Sequence, residues 1–387
     1  MDSQEAEKAD DSLLLPLKQL TEILSRLDTR MDMPKGDQLP SLPFDLLILI
    51  ISCLPVKPLM RFKCVSKALY ELINSQKFVK LHLNRSLQAD SDGNLICFGY
   101  FSIHAFDFNG SPYHASNFYY PENIGYPRRL IGSCNGLVCF SFQADHLIIH
   151  NPATRAYKTL PNLPLTKKYC EVFAPIGFGY DCISDDYKVL QFAMKPSSGK
   201  IEYETLLYSW RTNAWEIIQN PPWNWDTVKL FPSILVNNSL HWMGCENKEI
   251  KCFNLSTKRY YEITLPGKIS PGYSPTLGIL RGQLAVVTYY LDIWILKEYG
   301  VQESWTRLFR CPSVEWNNLF DTLTTWHLGV GLTCSKDGSK ILVGLAGGMP
   351  NFICCNLESK EARKIKISSF SHKLSVILPW VESLVPV

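Results

Sequence analysis

Apolar residues change their spacing twice along this chain. Within residues 1–40, Leu13, Leu17, Leu20, Leu24 and Leu27, with Ile23, recur three and four apart, which predicts one amphipathic helix in an otherwise acidic extension. Two readings fit that helix: a dimerising or partner-binding element, or a helix resting on its own protein. Fewer than about three heptads favour the second. Residues 41–86 predict three further short helices. Pro43 suits a first helical position and Asp45 its first turn; Leu46, Leu47, Ile50 and Leu54 make the apolar face, and Pro55 ends the helix. Pro58 opens a second helix through Leu59 and Phe62, and Ser66 is the N-cap of a third through Leu69, Leu72 and Ile73. So small a unit cannot bury all of these leucines by itself, so the large domain or a partner must cover them.

From residue 95 onward short apolar strands alternate with turns, and a polar tag recurs before an apolar strand. The tags are Asp107–Ser111, His150–Thr154, Ser209–Thr212, Phe253–Thr257, Leu296–Tyr299 and Cys355–Ser359. Successive turn residues Ser111, Thr154, Thr212 and Thr257 lie 43, 58 and 45 residues apart, with two further units of similar length to Ser359. A period of about 40–50 residues with several strands in each unit is the signature of propeller blades. Asp337-Gly338 marks a hairpin turn between Val330–Cys334 and Ile341–Leu345. The fold class predicted is mainly β with a small N-terminal α domain: three helices over 41–86, then a β-propeller-like domain of about six irregular blades over 95–387.

Composition narrows the function. The 387 residues are 46% hydrophobic and 19% charged, as expected of a globular chain with a large core. A net charge of +3 makes neither nucleic acid nor an anionic membrane an expected partner. The longest apolar run, Leu46–Ile51 continuing to Leu54, is well short of the roughly 18 residues that a membrane span requires. An odd count of 13 cysteines and an acidic N-terminus without a signal peptide predict a reduced protein of the cytoplasm, the nucleus or both. Asn-x-Ser sequons at Asn84, Asn109, Asn237 and Asn254 carry no weight in such a compartment.

No catalytic constellation is found. The chain has no nucleophile elbow, no His-Glu-x-x-His, no phosphate-binding glycine loop and no dinucleotide fingerprint. No Cys-x-x-Cys pair occurs and the eight His lack metal-ligand spacing, so neither metal nor cofactor is expected. His241, beside Trp242, reads as a hydrogen-bonded structural group. Trp210, Trp215, Trp242, Trp294 and Trp305 read as packing between sheets.

Two sets of motifs carry a resemblance. Leu42-Pro43-Phe44-Asp45-Leu46, followed by Leu54-Pro55-Val56-Lys57-Pro58-Leu59-Met60-Arg61-Phe62-Lys63-Cys64-Val65-Ser66-Lys67, resembles the F-box, especially its plant form. Ala68-Leu69 stands where relatives often carry Trp. Gly132–Val138, Asn151–Arg155, Gly177–Asp181, Ser184–Val189, Leu240-His241-Trp242, Asp292-Ile293-Trp294, Glu303-Ser304-Trp305 and Val381–Val385 are similar, in order, to the F-box-associated domain of plant F-box proteins. Some relatives are called F-box/kelch-repeat proteins, although the paired glycines of true kelch blades are missing here.

The resemblance implies a substrate-recognition subunit of an SCF-type cullin–RING ubiquitin ligase. Leu42, Pro43, Leu46, Leu54, Pro55, Leu59, Val65 and Ser66 would form or shape the surface for a Skp-family adaptor, and through it a cullin and RING subunit. The β-domain would hold an unknown target protein. Trp223 and Trp225, in the proline-broken segment Pro221–Trp225, are the candidate target contacts. Two other functions stay open on sequence: a propeller enzyme with a site in its central channel, and an adaptor-bound protein working outside degradation.

Overall fold

The computed structural model describes residues 44–89, 94–99, 103–107, 115–118, 129–143, 146–164, 175–197, 200–224, 227–246, 248–267, 269, 275–288, 290–311, 330–335, 337–345, 351–365 and 374–387. The helix expected within 1–40, together with Leu42, Pro43 and Trp225, lies outside them. Two compact units divide at His82/Leu83.

The N-terminal unit begins with α1 (Phe44–Ile51), α2 (Val56–Phe62) and α3 (Lys67–Asn74). Pro55, not Pro58, precedes the second helix, which therefore starts two residues before the expected position. Pro58 is accommodated because amides of a first helical turn have no intrahelical acceptor to lose. Ser66 caps α3 as expected, its Oγ accepting from Leu69 N at 3.2 Å. A fourth helix, α4 (Gln76–Ala89), was not anticipated. Its signal is Ser75, whose Oγ accepts from Phe78 N at 3.2 Å, ahead of a run free of Pro and Gly. Leu47, Ile51, Val56, Leu59, Phe62, Leu69, Ile73 and Phe78 are among the buried side chains of these helices.

The strands form six four-stranded antiparallel sheets, the blades of a propeller. Blade 2 is β4 (Arg129–Cys134), β5 (Leu137–Gln143), β6 (His146–Asn151) and β7 (Ala156–Thr159). Blade 3 is β8 (Ile176–Asp181), β9 (Asp186–Ser197), β10 (Lys200–Ser209) and β11 (Ala214–Ile218). Blade 4 is β12 (Ile234–Val236), β13 (Ser239–Met243), β14 (Glu249–Asn254) and β15 (Tyr260–Thr264). Blade 5 is β16 (Thr276–Leu280), β17 (Gln283–Val287), β18 (Ile293–Leu296) and β19 (Trp305–Phe309). Blade 6 is β20 (Val330–Cys334), β21 (Lys340–Leu345), β22 (Asn351–Asn356) and β23 (Ala362–Ile365).

Blade 1 draws on both ends of the domain. Here β1 (Asn94–Gly99), β2 (Ile103–Asp107) and β3 (Ala115–Phe118) are joined by β24 (Leu374–Pro379), whose Ile377 opposes Cys97 and whose Leu378 opposes Ile96. The first strands of the blades touch in cyclic order, β24, β4, β8, β12, β16, β20 and back to β24. The ring is therefore closed. Middle strands are buried on both faces, which is why Ser239–Met243 and Ile293–Leu296 read as nearly continuous apolar runs. Outermost strands such as Ala156–Thr159 and Ala214–Ile218 alternate or are largely exposed. Gly177 permits close blade packing: a Cβ there would stand 2.5 Å from the Trp242 ring.

Candidate functional site

The first candidate site is the outer surface of the N-terminal helices. α1 is apolar apart from Asp45 in its first turn, so burying one face leaves apolar side chains open on the other. Leu47 and Ile51 turn into the unit, while Leu46, Leu49 and Ile50 remain 46%, 42% and 40% exposed. These three, spaced i, i+3 and i+4, share one helix face. In the turn after α1, Leu54 is half-buried and Pro55 exposed, and Val65 and Tyr70 add exposed apolar area beyond α2. Large apolar side chains so placed are a mark of a surface that meets another protein.

The anticipated adaptor residues thus separate by role. Leu46, Leu54, Pro55 and Val65 have surface to offer. Leu59 is fully buried beneath them and shapes the unit by packing; Ser66 shapes it as the α3 cap. Leu49, Ile50 and Tyr70 were not among the residues expected to meet the adaptor, although Ile50 was placed on the apolar face of the first helix. The signal for the first two was present, since a short helix that is apolar but for Asp45 needs a second apolar covering.

The polar tags fall on the turns between the third and fourth strands of the blades. Asn151 Oδ1 accepts from Ala153 N and Thr154 N, at 3.0 and 3.3 Å. Asn254 does the same for Ser256 N and Thr257 N, and Asn356 for Glu358 N and Ser359 N. Each such turn then passes through a left-handed residue four positions on: Arg155, Lys258 and Lys360, with φ of 63°, 54° and 60°. In blade 3, Ser209 Oγ takes the Asn role, accepting from Thr212 N, and Asn213 is the left-handed residue. The repeat is turn chemistry in which a side-chain oxygen replaces a backbone acceptor. The tag at 107–111 falls mostly outside the described residues.

Three of the motif segments meet at one place. Trp380 Nε1 donates to Gly136 O at 3.0 Å, and Asn151 Nδ2 donates to Ser383 O and Val385 O at 3.0 and 2.9 Å. Gly136 has φ of 81°, and a Cβ on it would lie 2.4 Å from Ser383 Oγ and 2.6 Å from Val381 O. The C-terminal segment thus lies against blade 2 immediately after β24 has completed blade 1, with Trp380, Val381, Ser383, Leu384 and Val385 all buried. Another segment pair builds a buried ion pair. Lys188 Nζ lies 2.7 Å from Asp181 Oδ2 and donates to Leu255 O, while Ser184, Asn238 and Ser256 also donate to the carboxylate. Those donors hold Asp181 well below the usual carboxylate range against the opposing effect of burial.

Residues 114–387 match the family described as the F-box associated beta propeller domain, and residues 39–81 match the F-box domain. This chain belongs to the plant F-box proteins with an F-box-associated β-propeller. Similar proteins from Arabidopsis thaliana include the F-box protein CPR1, 29% identical over 87% of this chain and 88% of its own length. An F-box/kelch-repeat protein is 30% identical over 82% of this chain and 88% of its length. The helical surface is thus the F-box, and the motif segments that distinguish the propeller are its turns, closure and buried ion pair.

Other residues of this F-box protein fill structural positions. His241 is fully buried, its Nδ1–H donating to Ile234 O at 3.0 Å and its Nε2 accepting from Tyr299 OH at 2.7 Å. Burial lowers its pKa to about 4. Trp242, Trp294 and Trp305 are buried in the blades, and Trp215 is half-buried with Nε1 donating to Pro161 O. Burial pushes the Cys134 thiol up to about 12 and raises Cys97 and Cys139 further, which suppresses the nucleophilic thiolate. Among the described residues no group of three or more His, Cys, Asp or Glu could hold a metal ion, and no helix is long and apolar enough to cross a membrane.

Trp223 is tucked back onto blade 4. Its ring meets Tyr260 edge-on at 5.4 Å and 87°, and Lys251 Nζ stands 5.0 Å from its centroid. Lys251 is itself held by Glu249 and Glu262 at 3.0 and 2.6 Å. The half-buried ring anchors the connection between β11 and β12.

Proposed function

We propose that this chain is the substrate-recognition subunit of an SCF-type cullin–RING ubiquitin ligase. Its F-box binds a Skp-family adaptor and, through it, the cullin and RING subunits; its propeller binds the target. The observation that carries this reading is the exposed Leu46, Leu49 and Ile50 stripe beside Leu54-Pro55, in a domain matched as an F-box. The subunit performs no bond chemistry of its own. It raises the local concentration of target lysines near a ubiquitin-charged enzyme held elsewhere in the assembly. Work of this kind belongs in the cytoplasm or nucleus, on protein partners and not on nucleic acid or membrane.

Target capture is assigned to the propeller face that carries the blade-to-blade connections. Turns such as Asn151–Thr154 leave the opposite ends of the strands, whereas the connections after β7, β11 and β19 span residues 160–175, 219–233 and 310–329. The connection at 219–233 holds both Trp223 and Trp225 in its sequence, and Trp223 is anchored against Tyr260. The F-box half is tested by titration calorimetry against a purified Skp-family adaptor. Replacing Leu54 and Pro55 by Ala is expected to weaken binding more than tenfold, given about 2–5 kcal/mol for a lost Leu contact. Unchanged affinity would remove the F-box assignment.

A further inference from the structure

The Leu54 carbonyl sits at a break between helices. α1 ends at Ile51, Pro55 precedes α2, and among the described residues no main-chain amide donates to the Leu54 oxygen. It instead accepts from His82 Nε2 at 3.0 Å, across 28 residues of sequence. His82 lies on α4 and is only 2% exposed. Phe78, one turn earlier, stacks against the imidazole at 6.4 Å and 27°. Since the carbonyl must accept, Nε2 carries the proton, and Nδ1 is a buried acceptor without a hydrogen-bond partner. The F-box match ends at residue 81, one position before this contact.

We infer that His82 is a positioning residue for adaptor binding, which fixes the Leu54–Pro55 peptide from beneath through its Nε2–H. The inference rests on the adaptor reading of the F-box but concerns a residue outside the matched segment. Its physical basis is the cost of disorder at an interface: a docking loop already held in its bound conformation binds more tightly than one ordered on contact. A half-buried carbonyl deprived of its donor would turn toward water and take Leu54 and Pro55 with it. Burial also disfavours the charged imidazole, so the neutral, Nε2-protonated ring is the working form.

Two measurements on the full chain test this. In titration calorimetry with a Skp-family adaptor, His82→Ala is expected to bind about tenfold more weakly. His82→Gln, whose amide can place a donor near the Nε2 position, should recover most of the loss. Hydrogen exchange on the free protein provides the second readout. The amides of Leu54 and Leu59, which donate to Ile51 O and Pro55 O, should exchange at least about tenfold faster in His82→Ala, while those of Tyr70 and Leu72 on α3 stay protected. Equal loss of affinity in the Ala and Gln variants would overturn the inference, because it would assign the effect to packing. Unchanged exchange at Leu54 and Leu59 would overturn it whatever the affinities. If His82→Ala does not fold, His82→Gln decides: near-native affinity with slow exchange at Leu54 supports the donor role, and fast exchange refutes it. A wild-type chain that binds no adaptor would refute the parent reading instead, and the exchange data would still stand on their own.

Discussion

At His241 the imidazole is enclosed between β13 and the Tyr299 turn of the next blade, and its hydrogen bonds fix its tautomer. Nδ1–H is committed to Ile234 O, so Nε2 accepts from Tyr299, which in turn takes a hydrogen bond from Tyr261. A second proton would be placed in a buried site against a donor, which is why the folded-state pKa falls from 6.5 to about 4. The unfolded chain binds the proton more readily, so the contribution is fully present above about pH 6.5 and is lost as pH falls toward 4. Between pH 7.5 and 5 the wild type should lose about 2 kcal/mol more than His241→Gln in urea unfolding. Parallel pH profiles would contradict this. The structural reading of His241 was legible from its place beside Trp242 in a strand; its Tyr partners were not, because Tyr299 lies 58 positions away on another blade.

Individual elements were legible to the extent that their signals were local. Ser66 announced α3 because a cap acts within three residues. The tags announced turns because Asn151, Asn254 and Asn356 bond to amides two and three positions on. α2 was placed late because Pro58 can occupy any position of a first turn. The role of the 219–233 connection was the least legible, since exposure of a Trp depends on what it packs against. Trp223→Ala should leave adaptor binding unchanged but remove the contacts with Tyr260 and Lys251. A loss of about 1–3 kcal/mol, seen as a melting point several degrees lower by calorimetry, is expected. An unchanged melting point would show that the ring does not anchor the loop.

At the scale of the whole molecule, a closed ring depends on its two ends meeting. The period of the tags disclosed six blades, but no local pattern says that the last strand enters the first blade or that the tail then crosses to blade 2. Those facts reside in contacts more than two hundred residues apart, such as Asn151 with Ser383 and Trp380 with Gly136. Deleting residues 380–387 should therefore act far from the cut. It removes four buried apolar side chains and leaves Asn151 Nδ2 and Gly136 O without these partners, so melting should fall by about 10 °C or more. A truncated chain that melts like the intact one would contradict closure by the tail.

The same division of the molecule sets the most direct test of function. A receptor should hold its target with the propeller whether or not the adaptor is present, and should shorten the target's life only when both are engaged. The decisive measurement is the turnover of the proteins captured in common by the wild type and by the Leu54→Ala, Pro55→Ala double variant, followed by quantitative mass spectrometry after synthesis is stopped. Cullin and adaptor are expected with the wild type alone, and at least one protein captured by both should decay faster in wild-type cells, with the difference abolished by blocking the proteasome. Equal decay of every shared protein, with cullin recovered by the wild type, would contradict the role of this chain as a receptor for degradation.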